Sequence, residues 1–124
     1  MKDYYSVVEY VRKLIKETDT ISSEEKSTIV VWGYGHMGDG DLHIDIAVPG
    51  ENQELLDRAN DLVLPKVMAW VRDNNGSVGA EHGVGVYNQP YLGNTKSPEM
   101  ISTMKLIKST LDPNGIMNPY KIFP

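Results

Sequence analysis

Residues 28–50 read TIVVWGYGHMGDGDLHIDIAVPG, and this stretch decides the fold. Residues 28–34 are β-branched and aromatic, and residues 42–48 alternate apolar and polar side chains, so both runs predict strands. Asp39-Gly40 between them is a strong signal for a two-residue hairpin turn. The alternation of residues 42–48 puts one apolar set on one face of the hairpin: Leu42, Ile44, Ile46 and Val48. The opposite face carries His43, Asp45 and Ala47.

Helical periodicity flanks the predicted hairpin. Apolar residues recur at three- and four-residue spacings over residues 3–18 and 51–73, and Pro65 predicts a kink or break inside the second helix. A last helix is expected to end at Thr110, with Ser97 as its N-cap and Pro98 at its first position. We interpret residues 19–27 as a polar connector. The order predicts an α+β fold, a small antiparallel sheet with helices on one face, as a single domain over residues 1–124.

Composition excludes several classes of function. The chain has 124 residues, a net charge of −5 and no cysteine. The acidic balance argues against nucleic-acid binding, and the lack of cysteine excludes disulfides, thiolate nucleophiles and cysteine-ligated metals. No apolar run is long enough for a membrane span, and the charged first twenty residues do not resemble a signal peptide. Because a two-stranded sheet is marginal alone, two hypotheses are a missing strand and a partner chain, such as a second copy that would give a homodimer.

All three histidines lie in two glycine-rich segments. If Asp39 and Gly40 form the turn, His36 lies directly opposite His43, with Cβ atoms about 4.5–5.5 Å apart. Two imidazoles placed in this way can share one metal ion through bonds of about 2.0–2.1 Å. Asp45 would project from the same face, opposite Tyr34.

The second glycine-rich segment adds Glu81 and His82. Glu81 is a natural third ligand, which would complete a set of two histidines and one carboxylate around a divalent Lewis acid. His82 would point the other way along an extended chain and is a candidate general base. A plainer interpretation stays open beside this one, in which the histidines are hydrogen-bonded surface residues and the glycines serve turns.

Three motifs occur in order along the chain: GYGHMGDGDLH at 33–43, GSVGAEHGVG at 76–85 and LDPNGIMNPYK at 111–121. Together they resemble the C-terminal end of the FAD-linked oxidase family, which includes D-lactate and D-2-hydroxyglutarate dehydrogenases. Some members carry the name actin-interacting protein. The resemblance implies a ferredoxin-like half of the family's C-terminal domain, with the FAD-binding domain N-terminal to this region.

The resemblance also implies roles for individual residues. His36, His43 and Glu81 match the ligands of a divalent metal, usually zinc. His82 matches the residue that takes the substrate's hydroxyl proton, and it contacts the substrate. Asn118 matches a residue near the flavin. Asp45 stands where the hydroxyglutarate branch usually has a substrate-contacting asparagine.

At the level of the whole protein, the resemblance implies FAD-dependent oxidation of a D-2-hydroxy acid, D-lactate or D-2-hydroxyglutarate, to the 2-oxo acid. FAD would be bound mainly by the missing domain, so we expect this segment to be a fragment that does not turn over alone. The compartment would be mitochondrial or cytoplasmic. The alternative is a non-catalytic module that binds a metal or another protein, such as actin.

Overall fold

A computed structural model describes residues 5–123 of the chain. Two residues of the first predicted helix, 3 and 4, lie outside the described residues. The helices and strands occur in this order: α1 (Ser6–Glu17), α2 (Ser23–Thr28), β1 (Val30–His36), β2 (Asp41–Ala47), α3 (Gln53–Asp73), a 3₁₀ turn (Gln89–Tyr91), α4 (Leu92–Thr95) and α5 (Pro98–Leu111).

The hairpin forms as predicted, but its register differs by two residues. His36 pairs with Asp41, and Tyr34 pairs with His43, so the prediction that the two histidines face each other directly is wrong. The connecting loop is residues 37–40 rather than Asp39-Gly40 alone, and the amides of Asp39 and Gly40 both donate to the His36 carbonyl at 3.0 Å. Because side chains alternate with period two, a shift of two residues leaves every side chain on its predicted face.

The apolar face of the hairpin packs against helices. Val8 and Val11 of α1 are fully buried and join Val31 of β1 and Val63 of α3 in one core cluster. The partly buried side chains on this cluster include those of the predicted apolar face: Leu42, Ile44 and Ile46. Helices therefore cover one face of a small antiparallel sheet, which confirms the predicted α+β fold.

Gly33 lets α1 approach the hairpin closely. A Cβ atom at this position would lie only 2.5 Å from Cγ2 of Val8, which is 0% exposed. That distance is far inside the 3.5–4.0 Å or so of an ordinary carbon–carbon contact. Glycine is therefore required here by packing.

Two helices differ from the predictions. The segment expected to be a polar connector contains α2, which begins with a capping box: the Ser22 hydroxyl accepts from the Glu25 amide, and the Glu25 carboxylate accepts from the Ser22 amide. α3 continues through Pro65 without a break. Val63 and Val67, four residues apart on either side of the proline, both pack on the first core cluster. Packing of this face outweighs the hydrogen bond that proline cannot donate.

The chain divides into two compact units at the bond between Trp70 and Val71, within α3. The first unit contains the hairpin and its helices. In the second unit, residues 77–85 form turns and bends, and α5 begins at Pro98 with the Ser97 hydroxyl accepting from the Met100 amide at 3.3 Å, as predicted. That residues 1–124 form a single domain stays a prediction. Within residues 5–123, no helix combines the length and the apolar character that crossing a bilayer requires.

Candidate functional site

His36 and His43 converge on the solvent-facing side of the hairpin. Their ring centroids are 6.0 Å apart with the planes at 75°, and one ring nitrogen of each lies within 4.8 Å of the other. They reach this geometry diagonally across the two strands, because His36 is paired with Asp41 and His43 follows two residues later. Two bonds of about 2.0–2.1 Å to one ion hold nitrogens no more than about 4.2 Å apart. The two histidine nitrogens in the hairpin, which lie within 4.8 Å of each other, are therefore nearly close enough to bind one ion.

The aromatic side chain of Tyr34 lies beside the histidines on the same face. The ring of Tyr34 stacks on the His43 imidazole, with centroids 5.1 Å apart and planes at 26°. Asp45 lies opposite Trp32 and not opposite Tyr34 as predicted, which is the same two-residue shift of register. The contact of Tyr34 with His43 was not predicted, because the predicted register placed Tyr34 opposite Asp45. Its position on the same strand face as His36 was the signal available in the sequence.

Glu81 and His82 lie in a tight turn of the second unit. The Gly83 amide donates to the Gly79 carbonyl at 2.7 Å, and a Cβ atom at Gly79 would lie 3.2 Å from the Gly83 Cα. Glu81 Oε1 and His82 Nε2 are 3.3 Å apart. The prediction that the two side chains point in opposite directions is therefore wrong, because the segment is a turn and not an extended strand.

The C-terminal motif lies beside this turn in the second unit. The Ile122 amide donates to the Gly85 carbonyl at 2.8 Å, and the Gln89 side-chain amide donates to the Tyr120 carbonyl at 2.6 Å. The side-chain amide of Asn88 donates to the Val78 carbonyl at 2.8 Å, which links residue 88 to the second motif. One backbone hydrogen bond and one side-chain hydrogen bond thus hold the end of the chain against residues 85–89, which begin at the last residue of the second motif.

Asp112 organises the segment that leads to Asn118. Its buried carboxylate accepts the amides of Ile116 and Met117 at 3.1 and 3.0 Å, and the ammonium group of Lys108 at 2.5 Å. The hydrogen bond from Lys108, followed by those from the two amides, lowers the pKa of Asp112 below its usual range although burial opposes this. Asn118 follows with a positive φ of 46°. The role of Asp112 was not predicted, although Asp-Pro-Asn-Gly signals a turn.

The structure thus places the predicted site residues on two scaffolds. His36, His43 and Asp45 share one face of the hairpin in the first unit. Glu81 and His82 share a turn in the second unit, where Asn118 occupies the C-terminal turn segment.

Comparison with known proteins relates the chain to a family of flavoenzymes. The family described as FAD linked oxidases, C-terminal domain, matches residues 1–122. A Schizosaccharomyces pombe protein whose name assigns it to the mitochondrial D-lactate dehydrogenases is 42% identical over 94% of this chain and 22% of its own length. Mitochondrial D-2-hydroxyglutarate dehydrogenase of Arabidopsis thaliana is 46% identical over 76% of the chain and 16% of its length. D-2-hydroxyglutarate–pyruvate transhydrogenase of Saccharomyces cerevisiae is 40% identical over 98% of the chain and 24% of its length.

Proposed function

The chain belongs to the FAD-linked oxidases, as their C-terminal domain, and from this premise we propose that it is the substrate- and metal-binding part of an FAD-dependent dehydrogenase for a D-2-hydroxy acid. The chain spans about a quarter or less of the relatives described above. The substrate, D-lactate or D-2-hydroxyglutarate, and the activity are therefore assigned to the longer protein. One observation carries the proposal: the histidine pair converges on the solvent face of the hairpin in a chain of this family.

The donor set on the hairpin fits a divalent metal. Neutral imidazole nitrogens are common ligands of zinc, and His36 is exposed while His43 is half-buried, so both are accessible to an ion from solvent. We propose Glu81 as the third ligand only because of its position in the second sequence motif. Two histidines and one carboxylate leave an open coordination position, which is typical of a catalytic zinc site.

The remaining residues would act on the substrate. Bound FAD would supply the two-electron acceptor, and a bound divalent metal would polarise the substrate's hydroxyl oxygen. In the proposal, an imidazole nitrogen of His82 takes the hydroxyl proton, a role that suits a side chain 71% exposed to solvent. Asp45 lies on the ligand face and would contact the substrate.

FAD is proposed to be held mainly by sequence that the longer relatives have beyond the region they share with this chain. From the present segment, Asn118 is the residue proposed to contact it. The network around Asp112 supports this role, because it fixes the backbone up to Met117, directly before Asn118. A short polar side chain in a left-handed turn can present its amide group outward.

Metal binding tests the first part of the proposal. Zinc affinity is measured by competition with a chromophoric chelator for the wild-type chain and for His36→Ala, His43→Ala, Glu81→Gln and His82→Ala. Loss of a ligand is expected to weaken zinc binding in the first three variants by more than tenfold. His82→Ala is the matched control, because it removes an imidazole that the proposal does not assign to the metal. Equal affinity in all five proteins contradicts the assignment.

Flavin content tests the second part. The native polypeptide that contains this segment is isolated from its source, and its intact mass and visible spectrum are recorded. A yellow protein several times the length of this chain, which reduces a dye with D-lactate or D-2-hydroxyglutarate, is the expected result. A colourless protein with no such activity contradicts the dehydrogenase proposal.

A role in protein interaction is the second candidate function, and α5 is the observation that favours it. None of its residues is buried, and Ile107 and Leu111 are 55% and 76% exposed. Exposed apolar clusters of this kind often mark interaction surfaces. Self-association predicts a mass that rises with protein concentration in sedimentation and that Leu111→Glu returns to the monomer value. A partner such as actin instead predicts co-sedimentation with filaments.

A further inference from the structure

The ring of Tyr34 lies against one of the two proposed metal ligands. We propose that Tyr34 is a positioning residue, which stacks on His43 and holds its imidazole in the orientation that faces His36. This inference rests on the proposed metal site and adds a residue to it. Tyr34 would not touch the ion, so it would act on metal affinity only through His43.

Two aromatic rings contact the imidazole of His43. Tyr34 is its direct partner across the strands, and the 5.1 Å separation and 26° angle of the rings are those of a stacked pair. His36 approaches the same imidazole nearly edge-on, at 6.0 Å and 75°. The stacked ring of Tyr34 therefore restricts the plane of the His43 imidazole, while one nitrogen of that imidazole lies within 4.8 Å of a ring nitrogen of His36.

Fixing this plane matters because histidine has a soft ring torsion. The χ2 angle of histidine is broad and roughly two-fold, so an unsupported imidazole must lose this freedom when it binds a metal. Groups that orient a ligand before the metal arrives raise its affinity for the metal. Tyr34 is 55% exposed, so much of its side chain remains in water and core burial is not its main contribution.

The test compares metal affinity in matched variants of the whole chain. Cobalt and zinc titrations are run on the wild-type protein, Tyr34→Leu, Tyr34→Phe and Trp32→Leu. The free energy of a stacked aromatic pair is the upper limit of the effect, so metal affinity in Tyr34→Leu is expected to be more than twofold and at most about 12-fold weaker. Tyr34→Phe keeps the stacked ring and is expected to bind within about twofold of wild type. Trp32→Leu is the control, because Trp32 occupies the same strand face, opposite Asp45, and is 39% exposed.

NMR spectroscopy detects the stacking of Tyr34 on His43 in the absence of metal. In the metal-free protein, the ring current of Tyr34 shifts the imidazole proton resonances of His43, and this shift is expected to disappear in Tyr34→Leu and to persist in Tyr34→Phe. If Tyr34→Leu does not fold, as judged by circular dichroism, Tyr34→Thr replaces it, because a β-branched residue favours a strand.

The outcomes test the role of Tyr34 separately from the proposed metal site. A wild-type chain that binds neither ion contradicts the metal site itself. A wild-type chain that binds metal, together with Tyr34→Leu binding equally tightly, overturns only the role of Tyr34. Equal weakening in Tyr34→Leu and Trp32→Leu also overturns it, because the effect would then belong to the hairpin as a whole.

Discussion

Replacing Gly33 with alanine tests the packing that positions the ligand-bearing hairpin. The added Cβ atom would lie 2.5 Å from Cγ2 of Val8, 3.3 Å from Cδ1 of Leu42 and 3.4 Å from the carbonyl oxygen of His43. The contact with Val8 is short of an ordinary carbon–carbon distance by about 1 Å. Val8 is fully buried and, as a β-branched residue in a helix, has one strongly preferred rotamer, so it cannot turn aside.

The expected loss of stability follows from this overlap. Forcing an extra methyl group into a packed core typically costs about 1–3 kcal/mol. For a chain of this size, 1 kcal/mol corresponds to roughly 3–5 °C in Tm, so Gly33→Ala is expected to lower Tm by about 3–15 °C. Thermal unfolding followed by circular dichroism measures the change. Gly38→Ala is the matched control, because a Cβ atom at Gly38 would meet nothing within 4 Å.

A double variant identifies the cause. Val8→Ala removes the two methyl groups of the valine, including the one that the new Cβ would meet, so Gly33→Ala combined with Val8→Ala is expected to be less destabilised than the sum of the single changes. Strict additivity would refute the proposed clash. A Tm of Gly33→Ala equal to that of Gly38→Ala would refute the close approach itself.

Three further predictions concern charge. The hydrogen bond from Arg58, then those from Ser22, lower the pKa of Glu25 to about 2, so its contribution to stability is present above about pH 4.5 and is lost as pH falls toward 2. Glu25→Gln should therefore flatten the acid dependence of Tm over this range; an unchanged slope would contradict it. Asp112→Ala should speed hydrogen exchange at the amides of Ile116 and Met117, whereas unaltered exchange would show that the carboxylate does not hold this turn. In the longer protein, which we propose to be a dehydrogenase, Asp45→Asn is expected to lower KM for the 2-hydroxy acid by about fivefold, because it would remove a repulsion of about 1 kcal/mol between Asp45 and the substrate carboxylate; an equal or higher KM would exclude the proposed contact.

Sequence patterns predicted the elements that have strong local signals. The caps of α5, Ser97 and Pro98, are local features, and the structure confirms them. Helix α2 was missed although Ser22 and Glu25 have capping-box spacing, because its six residues carry no apolar periodicity. Continuity of α3 through Pro65 was not predictable from local rules. It depends on the contact of Val63 and Val67 with a core formed by residues distant in sequence.

Some features of the candidate site were likewise predictable from the sequence, and others were not. The period-two alternation of a strand put His36 and His43 on one face, and the ordered motifs indicated the family; neither needs tertiary structure. The sequence by itself did not determine which residues lie opposite each other, since a two-residue loop and the observed loop of residues 37–40 preserve the same faces. The tertiary structure decided that register, through the turn at the His36 carbonyl and the packing of Gly33 on Val8. It thereby brought Tyr34, rather than His36, directly across from His43, because pairing across strands depends on contacts between distant residues and not on local periodicity.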